Sequence, residues 1–158
     1  ARPGCPVPDV GDRGVYRGLY ACLFDDPDYQ RLSPGARLLL VTARQCRDAG
    51  LGSIFRYYPE VLARQTGIAL QKVEAGLVEL EGAGWIEREG PILWVRNGLR
   101  YDPNVRLANP KHRIGIRASL GGLPKLPIVL RFCDYYLIAY PFDTHSIPMP
   151  KGIRQEEE

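Results

Sequence analysis

The sequence predicts a mainly α-helical fold with one small β-hairpin. Two helical segments follow each other across a turn at Gly67, and two short strands within Trp85–Val95 come directly after the second helix. A basic stretch and a strongly apolar stretch follow the strands. This order is typical of a winged helix-turn-helix followed by a C-terminal helical extension.

Composition divides the chain into four segments. Residues 1–14 are rich in Pro, Gly and Asp, which predicts a flexible leader. Residues 15–105 hold the predicted winged helix-turn-helix domain, and residues 106–140 hold the basic and apolar helical extension. Residues 141–158 contain several prolines and end in three glutamates, so we expect an extended tail there.

In the first part of the domain, two helix starts are clearly predicted, whereas the segment before them is ambiguous. Val15–Phe24 mixes apolar and polar residues and fits a short strand or a short helix equally well. Ser33 followed by Pro34 predicts a helix start, because serine caps free N–H groups and proline loses nothing at the first helical position. We expect this helix to run to about Asp48, where Gly50 stops it. Tyr58 and Pro59 open the next helix in a similar manner.

The second helix of the motif is predicted from Leu70 to Ala83. One stripe of it has the spacing of a core-facing surface and consists of Leu70, Val73, Leu77 and Leu80. The opposite face carries Gln71, Lys72, Glu74, Ala75, Glu79 and Glu81. Gly84 fits a helix C-cap, and Glu89–Pro91 supplies the turn of a short hairpin, or wing.

Two further helices are predicted after the hairpin. Asn109 and Pro110 repeat the cap-plus-proline signal and start a basic helix from Lys111 to about Leu120. A second, strongly apolar helix is expected over Pro127–Tyr140. Its apolar content exceeds what one exposed face can hide, so it either folds back onto the domain or pairs with a second copy.

The distribution of charge says more than the net charge of +3. Residues 85–131 carry nine Lys/Arg and three Asp/Glu, whereas residues 58–84 carry two and four. Positive charge concentrated in and after the wing favours contact with a polyanion over a merely solvated surface. The candidate DNA-binding residues are Gln71, Lys72, Arg88, Arg96, Arg100, Arg106, Lys111, His112, Arg113 and Arg117.

Four stretches resemble the winged-helix replication-initiation, or replisome-organiser, proteins of bacteriophages and prophages, which are related to bacterial primosome and helicase-loading proteins. The stretches are LFDDPDYQRLSPGARLLL (23–40), GSIFRYYPEVLARQTGIALQKVEAGLVELEGAGWI (52–86), LWVRNGLRYDPN (93–104) and NPKHRIGIRASLGGLPK (109–125). The pattern of the second stretch recurs in many transcription regulators, whereas the Trp94–Asn97 run followed by NPKH is found in a much narrower set of proteins. The resemblance implies DNA binding and recruitment of a helicase loader, helicase or primase. It also implies oligomers, which favours pairing of the apolar helix.

Other function classes have little support in the sequence. The four cysteines lack metal-ligand spacing, and Asp25, Asp26 and Asp28 are more typical of a turn than of a metal site. We find no arrangement of catalytic residues and no cofactor motif, so we expect neither an enzyme nor a cofactor. With no signal peptide and no long apolar run, the chain is expected to be cytoplasmic. A transcriptional regulator of the same fold, and a winged helix that binds only protein, remain the alternatives.

Overall fold

The computed structural model describes residues 18–46, 51–100 and 102–142. In these residues the chain is mainly helical and carries one three-stranded antiparallel sheet. This agrees with the predicted class of a mainly α-helical protein that contains a small hairpin. The predicted leader (1–14) and nearly all of the predicted tail (141–158) lie outside the described residues.

The elements follow one another closely along the chain. In order they are a 3₁₀ helix at Ala21–Asp25, α1 at Pro27–Gln30, α2 at Pro34–Arg44, β1 at Ile54–Arg56, α3 at Pro59–Thr66, α4 at Leu70–Gly82, β2 at Ile86–Glu89, β3 at Ile92–Val95, α5 at Pro110–Leu120 and α6 at Pro127–Tyr136. The segment that fitted a strand or a helix is therefore a 3₁₀ helix from Ala21 onward.

The predicted helix starts are confirmed by their caps. The Ser33 hydroxyl accepts a hydrogen bond from the Ala36 N–H (3.2 Å), and the Asn109 side chain accepts one from the Lys111 N–H (3.0 Å). Both helices then place proline at the first position, where no N–H is needed. Helix α3 also begins with a proline, Pro59, although the side chain of Tyr58 makes no capping hydrogen bond.

Two helices end earlier than the sequence predicts. Helix α2 ends at Arg44, and the predicted end near Asp48 and stop at Gly50 lie outside the described residues. The N–H groups of Gln45 and Cys46 bond to carbonyls three residues back, which tightens the last turn. Helix α6 ends at Tyr136 rather than Tyr140. Leu137 there adopts a left-handed conformation (φ 53°), and the Ile138 N–H bonds back to the Cys133 carbonyl (2.9 Å). The predicted stop of α4 at Gly84 is confirmed, with φ 79° at that glycine.

The sheet contains one strand that the sequence did not reveal. Strand β1 pairs antiparallel with β3, which also pairs with β2, so the strand order is β1-β3-β2. Phe55 of β1 lies opposite Leu93 of β3. The strand has only three residues, too few for an alternating pattern to stand out, and its partner lies far along the chain.

Both faces of the sheet are covered by helices. Leu93 and Val95 of β3 belong to a core shared with α2 and α4. Ile92 and Trp94 point the other way, into a second core shared with α5 and α6. All four residues of β3 are buried, as expected for a central strand between two helical layers. The sheet thus separates the N-terminal helices from the C-terminal pair.

The core-facing stripe of α4 differs from the prediction by one position. Val73, Leu77 and Leu80 are fully buried as expected, but Leu70 is 46% exposed. Gly76 is buried as well, because α2 approaches α4 closely at that point. The first turn of α4 therefore projects beyond the core.

The apolar helix α6 folds back onto its own chain. Ile128, Val129 and Phe132 have no exposed surface, and α6 packs on β2 and β3. Of the two predicted arrangements the structure shows the fold-back, which buries this apolar surface within the chain, and pairing with a second copy stays a prediction. Among the described residues no helix is long and apolar enough to cross a membrane.

Candidate nucleic-acid interface

Arg88 of β2 is held by side chains from α4 and from the loop between β1 and α3. Its guanidinium donates to both carboxylate oxygens of Glu74 (2.9 and 3.0 Å), to Glu81, and to the Tyr57 hydroxyl (3.3 Å). Burial lowers the pKa of Arg88, but these bonds outweigh it and raise that pKa further above its usual value. The side chain is 13% exposed, so Arg88 serves to fasten β2 to α4 rather than to present charge.

On the opposite face of β2 the strand carries the acids and α6 carries the arginine. Arg131 of α6 donates to Glu87 and Glu89, and the Ile128 N–H at the start of α6 donates to Glu89 (2.6 Å). Arg96 also reaches Glu87, at 3.4 Å. Because side chains alternate along a strand, the charges of β2 bond to α4 on one face and to α6 on the other.

Two arginines of α5 hold the chain just after α6. Arg113 donates to the carbonyls of Tyr136 (3.4 Å) and Leu137, and Arg117 donates to the carbonyl of Ala139 (3.2 Å). A cation near the last carbonyls of a helix interacts favourably with its dipole. Carbonyls carry no net charge, so both arginines keep their full positive charge at the surface.

His112 and Arg106 form a local contact at the start of α5. The Arg106 backbone N–H donates to Nδ1 of His112 (2.9 Å). The side chains of Arg106 and Lys111 are exposed, and neither makes a side-chain hydrogen bond or ion pair within the described part of the chain. They are therefore available to an anionic ligand.

Arg96 and Arg100 lie against the same aromatic ring. Their guanidinium carbons are each 5.1 Å from the centre of the Tyr135 ring on α6. Arg96 also lies 4.9 Å from the Trp94 ring. The Tyr135 hydroxyl donates to Asn97 (3.0 Å), which fixes the ring between the two arginines. Arg100 remains exposed to solvent.

Six of the candidates lie close together along the chain, and we call them the basic cluster: Arg96, Arg100, Arg106, Lys111, Arg113 and Arg117. Tyr135 links the first two to the end of α6, Arg113 links α6 to α5, and His112 links α5 to Arg106. Residues 96–120 carry six Lys/Arg and one Asp, a formal net charge of +5. Such a density of positive charge attracts phosphate.

Helix α4 presents a different surface. Gln71 and Lys72 are exposed and have no side-chain partner among the described residues. The acids of this helix are engaged instead. Glu74 and Glu81 bind Arg88, and Glu79 accepts from the backbone N–H (2.7 Å) and the hydroxyl (2.6 Å) of Ser33. Arg88 therefore offsets one of the charges of Glu74 and Glu81, whereas Glu79, which is bonded to neutral groups, keeps its negative charge.

The structure adds two exposed cations that the sequence analysis did not select. Arg56 ends β1 and Arg64 lies in the last turn of α3, and neither side chain has a partner within residues 18–46, 51–100 and 102–142. Arg56 was missed because β1 itself was not predicted. Its position between two tyrosines and an apolar pair was the one available signal.

The acidic residues before α2 have structural roles. Asp26 caps α1 by accepting from the Asp28 N–H (2.8 Å), and Asp28 pairs with Arg31 (2.9 Å). The described residues contain no group of three or more His, Cys, Asp or Glu side chains that could hold a metal ion.

Comparison with known proteins adds no relative to this picture. No protein-family profile, no curated protein and no solved structure matches the chain.

Proposed function

We propose that this protein is a winged helix-turn-helix DNA-binding protein. The observation that carries the proposal is the order α2-β1-α3-α4-β2-β3 with strand order β1-β3-β2. In it α3 and α4 form the helix-turn-helix, and β2 and β3 form the wing. The closely spaced turn between α3 and α4 places the first turn of α4 at the surface, where Gln71 and Lys72 are exposed.

Phosphate contact belongs to the basic cluster in this proposal. Arg100, Arg106 and Lys111 are exposed without acidic partners among the described residues, and Arg113 and Arg117 bond only to neutral carbonyls there. Arg88, by contrast, is neutralised by two glutamates and contributes little to DNA contact. The wing itself is therefore a scaffold, and the cations that follow it make the electrostatic contribution.

A role in replication initiation is the biological setting we propose, with a helicase loader, helicase or primase as the recruited partner. It rests on the resemblance of the four stretches described above. A transcriptional regulator of the same fold is the second candidate, because the helix-turn-helix stretch is common to both classes. Capture of a helicase or primase component by the immobilised chain separates the first from the second.

The direct test is a fluorescence-anisotropy titration of labelled duplex DNA at low and at physiological salt. We expect micromolar or weaker binding at physiological salt that strengthens at low salt, through release of counterions. Lys111→Glu should weaken binding, whereas Arg31→Glu, which removes one exposed cation elsewhere, should change it much less. Absence of binding at low salt would contradict the proposed function.

A further inference from the structure

One stripe of α4 is free of charge and faces solvent. Gln71, Ala75, Val78 and Gly82 are spaced by four, three and four residues, which aligns them along one side of the helix. All four are exposed, and Val78 has 57% of its surface in solvent. This stripe lies opposite the buried residues Val73, Leu77 and Leu80. We call it the α4 outward face.

The acids that flank the α4 outward face are bonded to neighbouring parts of the chain. Glu74 and Glu81 bind the guanidinium of Arg88, and Glu79 binds Ser33 at the start of α2. The hydrogen bond from Arg88 lowers the pKa of Glu74 against the effect of burial, and the hydrogen bonds from Ser33 lower that of Glu79. The side chains on the stripe itself are the amide of Gln71 and the apolar groups of Ala75 and Val78. Lys72 lies beside them.

We propose that the α4 outward face reads A·T base pairs in the major groove of DNA. A glutamine amide can donate to N7 and accept from N6–H of adenine, a pairing that needs no charged side chain. Small apolar side chains such as those of Ala75 and Val78 contact the C5-methyl group of thymine. Lys72, one residue from Gln71, is placed for the adjacent phosphate. This inference rests on the proposed DNA binding and names the base composition that the bound duplex should have.

The same chemistry disfavours G·C pairs. The commonest specific contact to guanine comes from Arg or Lys, and contact to the cytosine amino group comes from Glu or Asp. The α4 outward face holds none of these residue types. A G·C pair would leave the Gln71 amide mismatched and would offer Val78 no methyl group.

Three duplexes of equal length test the inference by anisotropy. One is rich in A·T, the second is the same sequence with deoxyuridine in place of thymidine, and the third is rich in G·C. We expect the first to bind about fivefold or more tightly than either of the others. The uracil duplex differs from the first only by the C5-methyl groups, so it reports methyl contact directly.

Variants at exposed positions assign the preference to α4. Gln71→Ala and Val78→Ser should each reduce the A·T preference toward equal binding, and neither removes a buried contact. Circular dichroism and thermal unfolding verify that both variants stay folded. Lys111→Ala, in the basic cluster, is the matched control and should weaken binding to all three duplexes by the same factor.

The outcomes separate this inference from the function on which it rests. Equal affinity for the three duplexes would contradict reading by the α4 outward face while leaving DNA binding intact. Equal affinity for the thymine and uracil duplexes would contradict methyl contact by Ala75 and Val78. A preference unchanged in both α4 variants would contradict reading by the α4 outward face as well. Failure to bind any duplex at low salt would overturn the proposed function itself.

Discussion

Gly76 of α4 lies so close to Leu39 of α2 that a Cβ atom on the glycine would be 2.4 Å from Leu39 Cδ1. Real Cβ atoms essentially never approach another heavy atom this closely. A side chain at position 76 would therefore force the buried side chain of Leu39 to shift. The contact fixes the distance of α4 from the rest of the domain, and with it the projection of the α4 outward face.

Replacing this glycine should destabilise the protein even though alanine is the better helix former. Alanine gains about 0.5–1 kcal/mol in a helix interior, but overpacking against Leu39 costs about 1–3 kcal/mol. Together these two effects predict that Gly76→Ala lowers the free energy of unfolding by up to about 2 kcal/mol in urea denaturation. Gly82→Ala on the same helix is the control, because nothing lies within 4 Å of its Cβ position. A stabilised Gly76→Ala variant would show that the helices can separate freely.

Arg88 should contribute measurably to stability. Removing it leaves Glu74 and Glu81 without their shared partner, and hydrogen bonds to charged groups contribute about 1.5–3 kcal/mol where they are shielded from water. Because Glu74 is 57% exposed, we expect Arg88→Met to cost about 1–3 kcal/mol. Arg31→Met removes an ion pair whose side chains are 79% and 71% exposed, and it should cost less than about 1 kcal/mol. Equal losses in the two variants would refute a fastening role for Arg88.

The bond between Glu79 and Ser33 should make stability depend on pH. The hydrogen bonds from Ser33 lower the pKa of Glu79 below the value that the unfolded chain shows. The stabilisation is therefore present above the unfolded pKa and is lost as pH falls through the lowered, folded pKa. We expect Glu79→Gln to be slightly less stable than the native chain at pH 7, with the difference shrinking in acid. A difference that grows on acidification would reverse the assigned sign.

Cys133 should be protected from thiol reagents in the folded protein. The residue is 1% exposed, and burial raises the pKa of its thiol to about 11, so little thiolate forms near neutral pH. Cys22 is exposed and serves as the internal control. Peptide mapping after brief labelling should find Cys22 modified and Cys133 modified only after denaturation. Rapid labelling of Cys133 under native conditions would mean that α6 detaches from the sheet.

Local signals predicted much of the fold, and distant contacts decided the rest. The starts of α2 and α5 followed from Ser33–Pro34 and Asn109–Pro110, because caps act within one turn. Strand β1 could not be predicted in the same way, since its partner strand lies about forty residues further along the chain.

The candidate site was likewise predicted only in part from the sequence. Sequence identified the excess of basic residues after the hairpin, but it could not tell which of them would be neutralised. Arg88 meets its glutamates through the packing of β2 on α4, and Arg113 meets carbonyls of the segment after α6. Only the tertiary structure distinguishes an arginine paired with a carboxylate from one bonded to a neutral carbonyl.

The salt dependence of duplex binding tests the central claim most directly. The logarithm of the association constant should fall linearly with the logarithm of salt concentration, with a slope that reports the number of phosphates contacted. Arg100→Glu combined with Lys111→Glu should weaken binding and reduce the steepness of that slope by about two, while Arg31→Glu leaves the slope unchanged. An unchanged slope in the double variant would contradict phosphate contact by the basic cluster.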